Sequence, residues 1–188
     1  MSSVKKCILN QEKPSIQRIY EKISEYYVAA LQYFDQALGI SRETKNKGLE
    51  SKVLNNISQV YNVQGKRDLA LEYLQQSLII TQQLGDCRGE AVILNNLAGI
   101  HEAKGDYPAA LKQYEEALAI AKEIGAKAEV AILSSNIGRI YEDQGDSAKA
   151  EHYLSRAVEL MEQLEHPKLD EWRKALEVIR TKLCEQRN

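Results

Sequence analysis

The sequence predicts an all-α solenoid, a row of stacked antiparallel helix hairpins closed by a C-terminal capping helix. Three observations carry that prediction. The 188 residues hold only three prolines (Pro14, Pro108, Pro167), and the stretches between glycines are long and rich in Ala, Leu, Glu, Gln and Lys, a composition that favours helix. The chain also repeats itself every forty residues: Leu54-Asn55-Asn56-Ile57 returns as Leu94-Asn95-Asn96-Leu97 and, weaker, as Ser134-Ser135-Asn136-Ile137. Finally, Gly65, Gly105 and Gly145 keep that spacing, as do Ala70, Ala110 and Ala150. A fixed period with no gaps is the signature of a repeat array rather than of one globular core.

Taken in order, residues 1–14 read as a tail and 15–47 as a degenerate first repeat. Ile16, Ile19, Tyr20 and Ile23 share a helical face, and Ala30, Leu38 and Ile40 fall in the repeat register. Glu25, however, stands where later units carry glycine, and Tyr20 to Ala30 is one residue longer than Tyr61 to Ala70. Such a unit is expected to be either an N-terminal cap or the cut end of a longer array. Full repeats follow at 48–86, 87–126 and 127–166. In the first of these, Leu54, Ile57, Ser58 and Tyr61 lie at i, i+3, i+4 and i+7, one face of a helix. Gly65 suits a left-handed C-terminal cap. A second helix then places Ala70, Leu74, Ser77 and Leu78 on one face. Asp106 and Asp146 follow the glycine in later units and are N-cap candidates, and Pro108 sits in the first turn, where a missing amide costs little. Connections this short force antiparallel hairpins.

Small residues explain how the hairpins close. Ser58, Ala98 and Gly138 on the first helices face Ala70, Ala110 and Ala150, then Ser77, Ala117 and Ala157, on the second. Bulkier groups would push the axes beyond the usual separation of about 8–10 Å. One hairpin cannot bury its apolar surface alone, so the units must stack. After Pro167 the pattern changes: Leu169, Trp172, Leu176, Ile179 and Leu183 make an amphipathic stripe, so 167–186 reads as a capping helix with a polar outer face.

Large apolar, small, aromatic, glycine, then alanine is a pattern that resembles the tetratricopeptide repeat. It is carried by Leu54, Ile57, Ser58, Tyr61, Gly65, Ala70, Leu74 and Ser77. The next unit carries it in Leu94, Leu97, Ala98, His101, Gly105, Ala110, Tyr114 and Ala117, and the third in Ile137, Gly138, Tyr141, Gly145, Ala150, Leu154 and Ala157. The usual period of that family is 34. A period of forty resembles its longer-helix members: kinesin light chain, G-protein-linked spindle scaffolds and bacterial peptide-sensing regulators. The resemblance implies a right-handed superhelix whose first helices line a concave groove that takes extended peptides. It also implies a non-catalytic scaffold with a protein or peptide partner, while the three scattered cysteines and the lack of an apolar stretch of signal-peptide length lead to the expectation of a reduced, cytoplasmic setting.

On helical angles, Lys52, Asn55, Asn56, Gln59, Asn62 and Val63 lie roughly 80° to 200° from Leu54, on the free face of the first helix. The same face of the next unit carries Val92, Asn95, Asn96, Gly99, Glu102 and Ala103, and that of the third Ile132, Ser135, Asn136, Arg139, Glu142 and Asp143. Asn56, Asn96 and Asn136 then form a ladder, one rung per unit. An amide that both donates and accepts suits a peptide main chain, and asparagine is a poor helix former that wants a reason to recur mid-helix. In the resembled long-repeat proteins, asparagines at this point hold the peptide backbone. The alternative is that the amides bond to neighbouring helices and fix the superhelix. The candidate groove residues are Asn55, Asn56, Gln59, Asn95, Asn96, Glu102, Asn136 and Arg139, the arginine facing an acidic group. Val92, Gly99, Ala103 and Ile132 make the middle of the groove smooth and partly apolar. Only Lys52 and Arg139 are basic on this face, which argues against the lysine-rich carboxylate clamp of chaperone-tail receptors.

The residues give no expectation of catalysis, metal or cofactor. His101-Glu102 opens like a zinc-protease motif, but Gly105 replaces the second histidine. Gly65-Lys66 lacks the remainder of a phosphate loop. Cys7, Cys87 and Cys184 are odd in number and far apart, which speaks against a disulfide framework. Lysines and arginines number 25 against 27 acidic residues, a net charge of −2, which excludes a nucleic-acid binder held by a broad basic surface. No apolar run reaches membrane-spanning length, and no leader is read at the start. Two alternative functions remain: self-association into a homo-oligomer through apolar groups of the worn first unit, such as Tyr26, Tyr27 and Phe34, or service as the sensor part of a larger multidomain protein.

Overall fold

The computed structural model describes residues 2–167 and 169–186, with side chains described for 18–19, 21–167 and 169–185. Among these the chain is entirely helical. The helices are α1 (Ser2–Glu43), α2 (Lys47–Val63), α3 (Arg67–Leu84), α4 (Cys87–Ala103), α5 (Tyr107–Glu123), α6 (Lys127–Asp143), α7 (Ser147–Gln163) and α8 (Leu169–Gln186). Each packs against its chain neighbours, most extensively within the hairpins α2/α3, α4/α5 and α6/α7, while α3/α4 and α5/α6 join one hairpin to the next. That order is a superhelical stack of repeats.

The turns show why these residues stop and restart helices. Gly65, Gly105 and Gly145 adopt φ of 75°, 79° and 79°. With the chain turned left-handed there, the Lys66 amide donates to the Tyr61 carbonyl, and Asp106 and Asp146 do likewise to His101 and Tyr141. Paired with the bonds from the glycine amides, these satisfy carbonyls the helix end would otherwise leave open. Asp106 and Asp146 then accept from the Ala109 and Lys149 amides at 3.2 and 3.1 Å, so both cap as their position predicts. Asn46 and Asp86 cap α2 and α4 in the same way.

Inside the hairpins the small residues are sealed. Ala70, Ala98, Ala110, Ala117, Ala150 and Ala157 have no exposed surface. Gly138 is required by its neighbour: a methyl there would stand 2.9 Å from Leu154 Cγ and 3.4 Å from the Ala150 carbonyl. The α2/α3 hairpin replaces an Ala/Ala contact (Ala91/Ala117 in the next unit) with two buried serines. Ser77 Oγ donates to the Ser51 carbonyl at 2.8 Å, and the two hydroxyls lie 2.9 Å apart. The stripe on α8 packs as expected, with Leu176 and Ile179 buried against Ala150, Leu154 and Val158.

The first unit corrects the expectation of a worn hairpin. No turn interrupts residues 15–47 before Thr44: α1 is one helix of 42 residues running through Glu25. Its C-terminal half takes the place of a second helix, with Leu38 packed on Val53, Leu54 and Ile57 of α2. Ile16 and Tyr20, two of the four residues of the expected first face, lie outside the described side chains, as does Cys7. The other two, Ile19 and Ile23, are exposed.

Candidate peptide groove

The exposed faces of α2, α4 and α6 lie side by side, because each begins a hairpin stacked on the last. A recess of about 220 Å³ opens on them, and it gathers Gln59, Asn95, Asn96, Asn136 and Arg139 from the predicted set. Asn55 borders a separate, larger hollow of about 390 Å³ beside Lys52, Arg88 and Val92. Asn56 is exposed and lines neither.

The amides are wired across units. Asn96 Nδ2 donates to Asn55 Oδ1 at 2.8 Å, and Asn136 Nδ2 donates to Asn95 Oδ1 at 3.0 Å. A weaker contact of 3.4 Å links Asn95 Nδ2 to Asn96 Oδ1. The rungs therefore join the first asparagine of one pair to the second of the next, α2 to α4 and α4 to α6. This is the interhelix bonding weighed above as the alternative to peptide holding. It does not exhaust the amides: Asn96 and Asn136 each spend one of two N–H donors on it, and both side chains remain half-buried at the recess.

Glu102 and Arg139 also meet each other. Arg139 Nη2 approaches Glu102 Oε1 at 2.8 Å and Oε2 at 2.9 Å, so the arginine has an acidic partner within the chain. Tyr114 Oη donates to the same carboxylate at 3.0 Å. The three residues come from α4, α5 and α6 and tie the second and third hairpins together. Burial of the Tyr114 ring, then the Glu102 charge, pushes its phenol well above the ordinary value, so it stays a neutral donor.

Tyr114 is the groove residue that reading by helix faces missed. Only 2% exposed, it rises from the second helix to the recess floor under Gly99. A methyl on Gly99 would sit 3.6 Å from its hydroxyl. The signal was present in the repeat register: tyrosine replaces Leu74 and Leu154, and glycine replaces Gln59 and Arg139, in the same unit. Beside the recess, Val92 and Ile132 stay 42% and 43% exposed and flank an apolar notch of about 120 Å³ with Ala91 and Leu133. On the face of α6, Glu142 pairs with Lys182 of α8 at 2.7 Å.

His101 occupies the aromatic slot and lies 3.7 Å from Asp106 through Nδ1. Cys87 and Cys184 are free and exposed. Among the described residues no helix is long and apolar enough to cross a membrane.

The tetratricopeptide repeat profile matches residues 49–123 and again 89–163, offset by the forty-residue period. The chain belongs to the tetratricopeptide repeat family. Membership makes it a non-catalytic protein-interaction scaffold. No curated protein matches it significantly. Among solved structures it is similar to BtubC (BKLC) from P. vanneervenii, at 22% identity over 79% of this chain and 65% of that one, with a TM-score of 0.68. It is also similar to the apo form of RapI, at 22% identity over 88% of this chain and 46% of that one, TM-score 0.78. A Rap protein complexed with competence and sporulation factor gives 19% identity over 89% and 47%, TM-score 0.71. At these identities the likeness is one of fold. The chain spans about two thirds of BtubC and about half of the two Rap proteins.

Proposed function

We propose that this tetratricopeptide repeat protein holds an extended segment of a partner protein in the groove of α2, α4 and α6. The units 48–86, 87–126 and 127–166 present that groove, with Asn96 and Asn136 meeting the segment's main chain. The observation that carries the reading is the state of those two amides. Each is oriented by a bond to the preceding unit, keeps a second N–H, and stands at a recess whose floor is opened by Gly99. Holding an amide in place before binding lowers the entropy lost on complex formation. The notch between Val92 and Ile132 takes one apolar side chain of the segment. With Arg139 already paired to Glu102, main-chain and apolar contacts dominate over charge. The Rap neighbour complexed with competence and sporulation factor supports a ligand-holding role for this kind of stack. The cytoplasm fits two exposed, unpaired thiols.

The test is selection from a random peptide library with the folded chain, followed by calorimetric titration of the selected sequence. Asn96→Ala with Asn136→Ala should weaken that peptide at least tenfold. Unchanged affinity, or peptides that compete only with ligands of the convex face, contradict the reading.

A further inference from the structure

From Ile19 onward α1 carries a seam that the rest of the described chain leaves largely uncovered, although Ala37 touches the cluster around Leu38. Ile19, Ile23, Tyr26, Ala30, Tyr33, Ala37 and Ile40 follow one another at alternating spacings of four and three, the a/d pattern of a two-helix coiled coil. In the sequence Ile16 extends it by three more. On this seam Ile19, Tyr26, Tyr33 and Ile40 are 57%, 72%, 72% and 56% exposed.

What is missing opposite the seam can be read from the complete hairpins. Ile80, forty residues after Ile40, is 8% exposed, packed in one cluster with Val53, Leu54 and Ile57 of its own first helix. Tyr73, forty after Tyr33, stacks on Tyr61 at 5.4 Å, and Tyr153 stacks on Tyr141 at 5.8 Å. So Ile40 and Tyr33 are second-helix residues that, among the described residues, have no first helix packed on them. The sequence of that first helix is present: Ile16, Ile19, Tyr20 and Ile23 carry its face, with Tyr20 in the aromatic slot. It does not fold back, because it is continuous with α1. Five of the seven turns from α1 to α8 place a glycine at positive φ, the other two Lys45 and Glu165, and Ile19 to Tyr33 contains no glycine.

We propose that a second copy of the chain supplies the missing helix, the two α1 helices pairing antiparallel by reciprocal exchange. Matching Tyr20 of one copy to Tyr33 of the other, as Tyr61 matches Tyr73, puts Ile23 opposite Ala30 and Ile16 opposite Ala37. Large then meets small along the seam, and a two-fold axis passes at Tyr26 and Tyr27. A parallel pair sets isoleucine on isoleucine and alanine on alanine, and leaves every tyrosine of the seam beside its own copy. The antiparallel overlap spans roughly 22 residues, about 33 Å. Such an exchange reuses contacts the fold already makes, which is why it is a low-cost route to a dimer.

The 188-residue chain in sedimentation equilibrium should give twice the 21.3 kDa monomer mass. Ile19→Lys with Ile23→Lys should halve that mass and leave the thermal midpoint of the repeat stack unchanged. For orientation, Cys7, Cys87 and Cys184 are first changed to serine. A tagged Ile23→Cys chain is then mixed with an untagged Ala30→Cys chain and oxidised. The expected product is the mixed disulfide dimer, since a disulfide needs Cα atoms within about 7 Å. A wild-type monomer up to 100 μM, a lysine variant that stays dimeric, or cross-linking of Ile23→Cys only to itself overturns the proposal. So does a disulfide within one chain carrying both cysteines, which would mean that the segment folds back. The peptide groove lies on other helices, so failure here leaves the groove reading intact, and the reverse.

Discussion

The α4/α5 and α6/α7 hairpins share one backbone plan and fill it differently. In α4/α5, Ala98 and Gly99 on the first helix admit Tyr114 from the second, whose hydroxyl surfaces in the groove. In α6/α7, Gly138 and Arg139 stand at those positions, Leu154 replaces the tyrosine, and its branch point presses against Gly138. Glycine has moved by one residue. In one hairpin it clears space above a tyrosine, and in the other it yields to a leucine. The two solutions meet at Glu102, which accepts from Tyr114 of its own hairpin and from Arg139 of the next. A repeat period thus fixes where a position sits, while paired substitutions decide what it offers to a ligand.

The largest expected break of this comparison is to give the middle hairpin the leucine of the last. Tyr114→Leu leaves a void under Gly99 and frees Glu102 from one donor, so unfolding in urea should show a loss of about 2–3 kcal/mol. Next come the two glycines. Gly138→Ala should cost about 1–2 kcal/mol, because the methyl must displace Leu154 and meets the Ala150 carbonyl. Gly99→Ala should be neutral or stabilising by up to about 1 kcal/mol, since its methyl makes only an ordinary contact and removes a helical glycine. Equal effects from the two would erase the distinction drawn between them.

A smaller effect sharpens the contrast with the α2/α3 hairpin. Ser77→Ala should cost about 1 kcal/mol by leaving the buried Ser51 hydroxyl without its close partner. Adding Ser51→Ala imports the alanine pair of the later hairpins and should recover most of that loss. The smallest is a pH effect at the α1/α2 junction. The Lys47 ammonium at 2.6 Å, aided by Arg42 at 3.0 Å, holds the Glu50 carboxyl below its ordinary value of 4.5. The pair's contribution is therefore complete above about pH 4.5 and is lost as pH falls through the lower folded value. Glu50→Gln should lower stability slightly at neutral pH and converge on the parent in acid, so that the acid limb of stability is flattened.

Most of the fold was legible because its determinants are local. Gly65, Gly105 and Gly145 mark turns, Asp106 and Asp146 mark helix starts, and alanine marks close approach, each by a cause confined to a few residues. The continuity of α1 was half legible. Glu25 in place of glycine was visible, but what it implies, a helix that never turns back, depends on the absence of any glycine from Ile19 to Tyr33, the residue that turns the chain at five of its seven helix junctions. The groove was legible as a face and not as a network. Periodicity aligns Asn56, Asn96 and Asn136 as equivalent positions, whereas hydrogen bonds join neighbours in space. Adjacent first helices lie one residue out of step, so Asn96 meets Asn55 and Asn136 meets Asn95. Tyr114 lies on a second helix, off the faces counted by helical angle, and only its pairing with Gly99 brings its hydroxyl to the recess floor.

In the proposed function Asn96 and Asn136 hold a peptide, while Asn55 and Asn95 hold those two amides. Both bonds between the units are lost in Asn96→Ala/Asn136→Ala and equally in Asn55→Ala/Asn95→Ala, so the two double variants should lose similar stability, about 1–2 kcal/mol. Their affinities for a peptide selected on the parent chain should separate. At least a tenfold loss is expected for the first variant and less than a threefold loss for the second. Equal losses in the two would show that the asparagines act only by bracing the superhelix, and would contradict the proposed function.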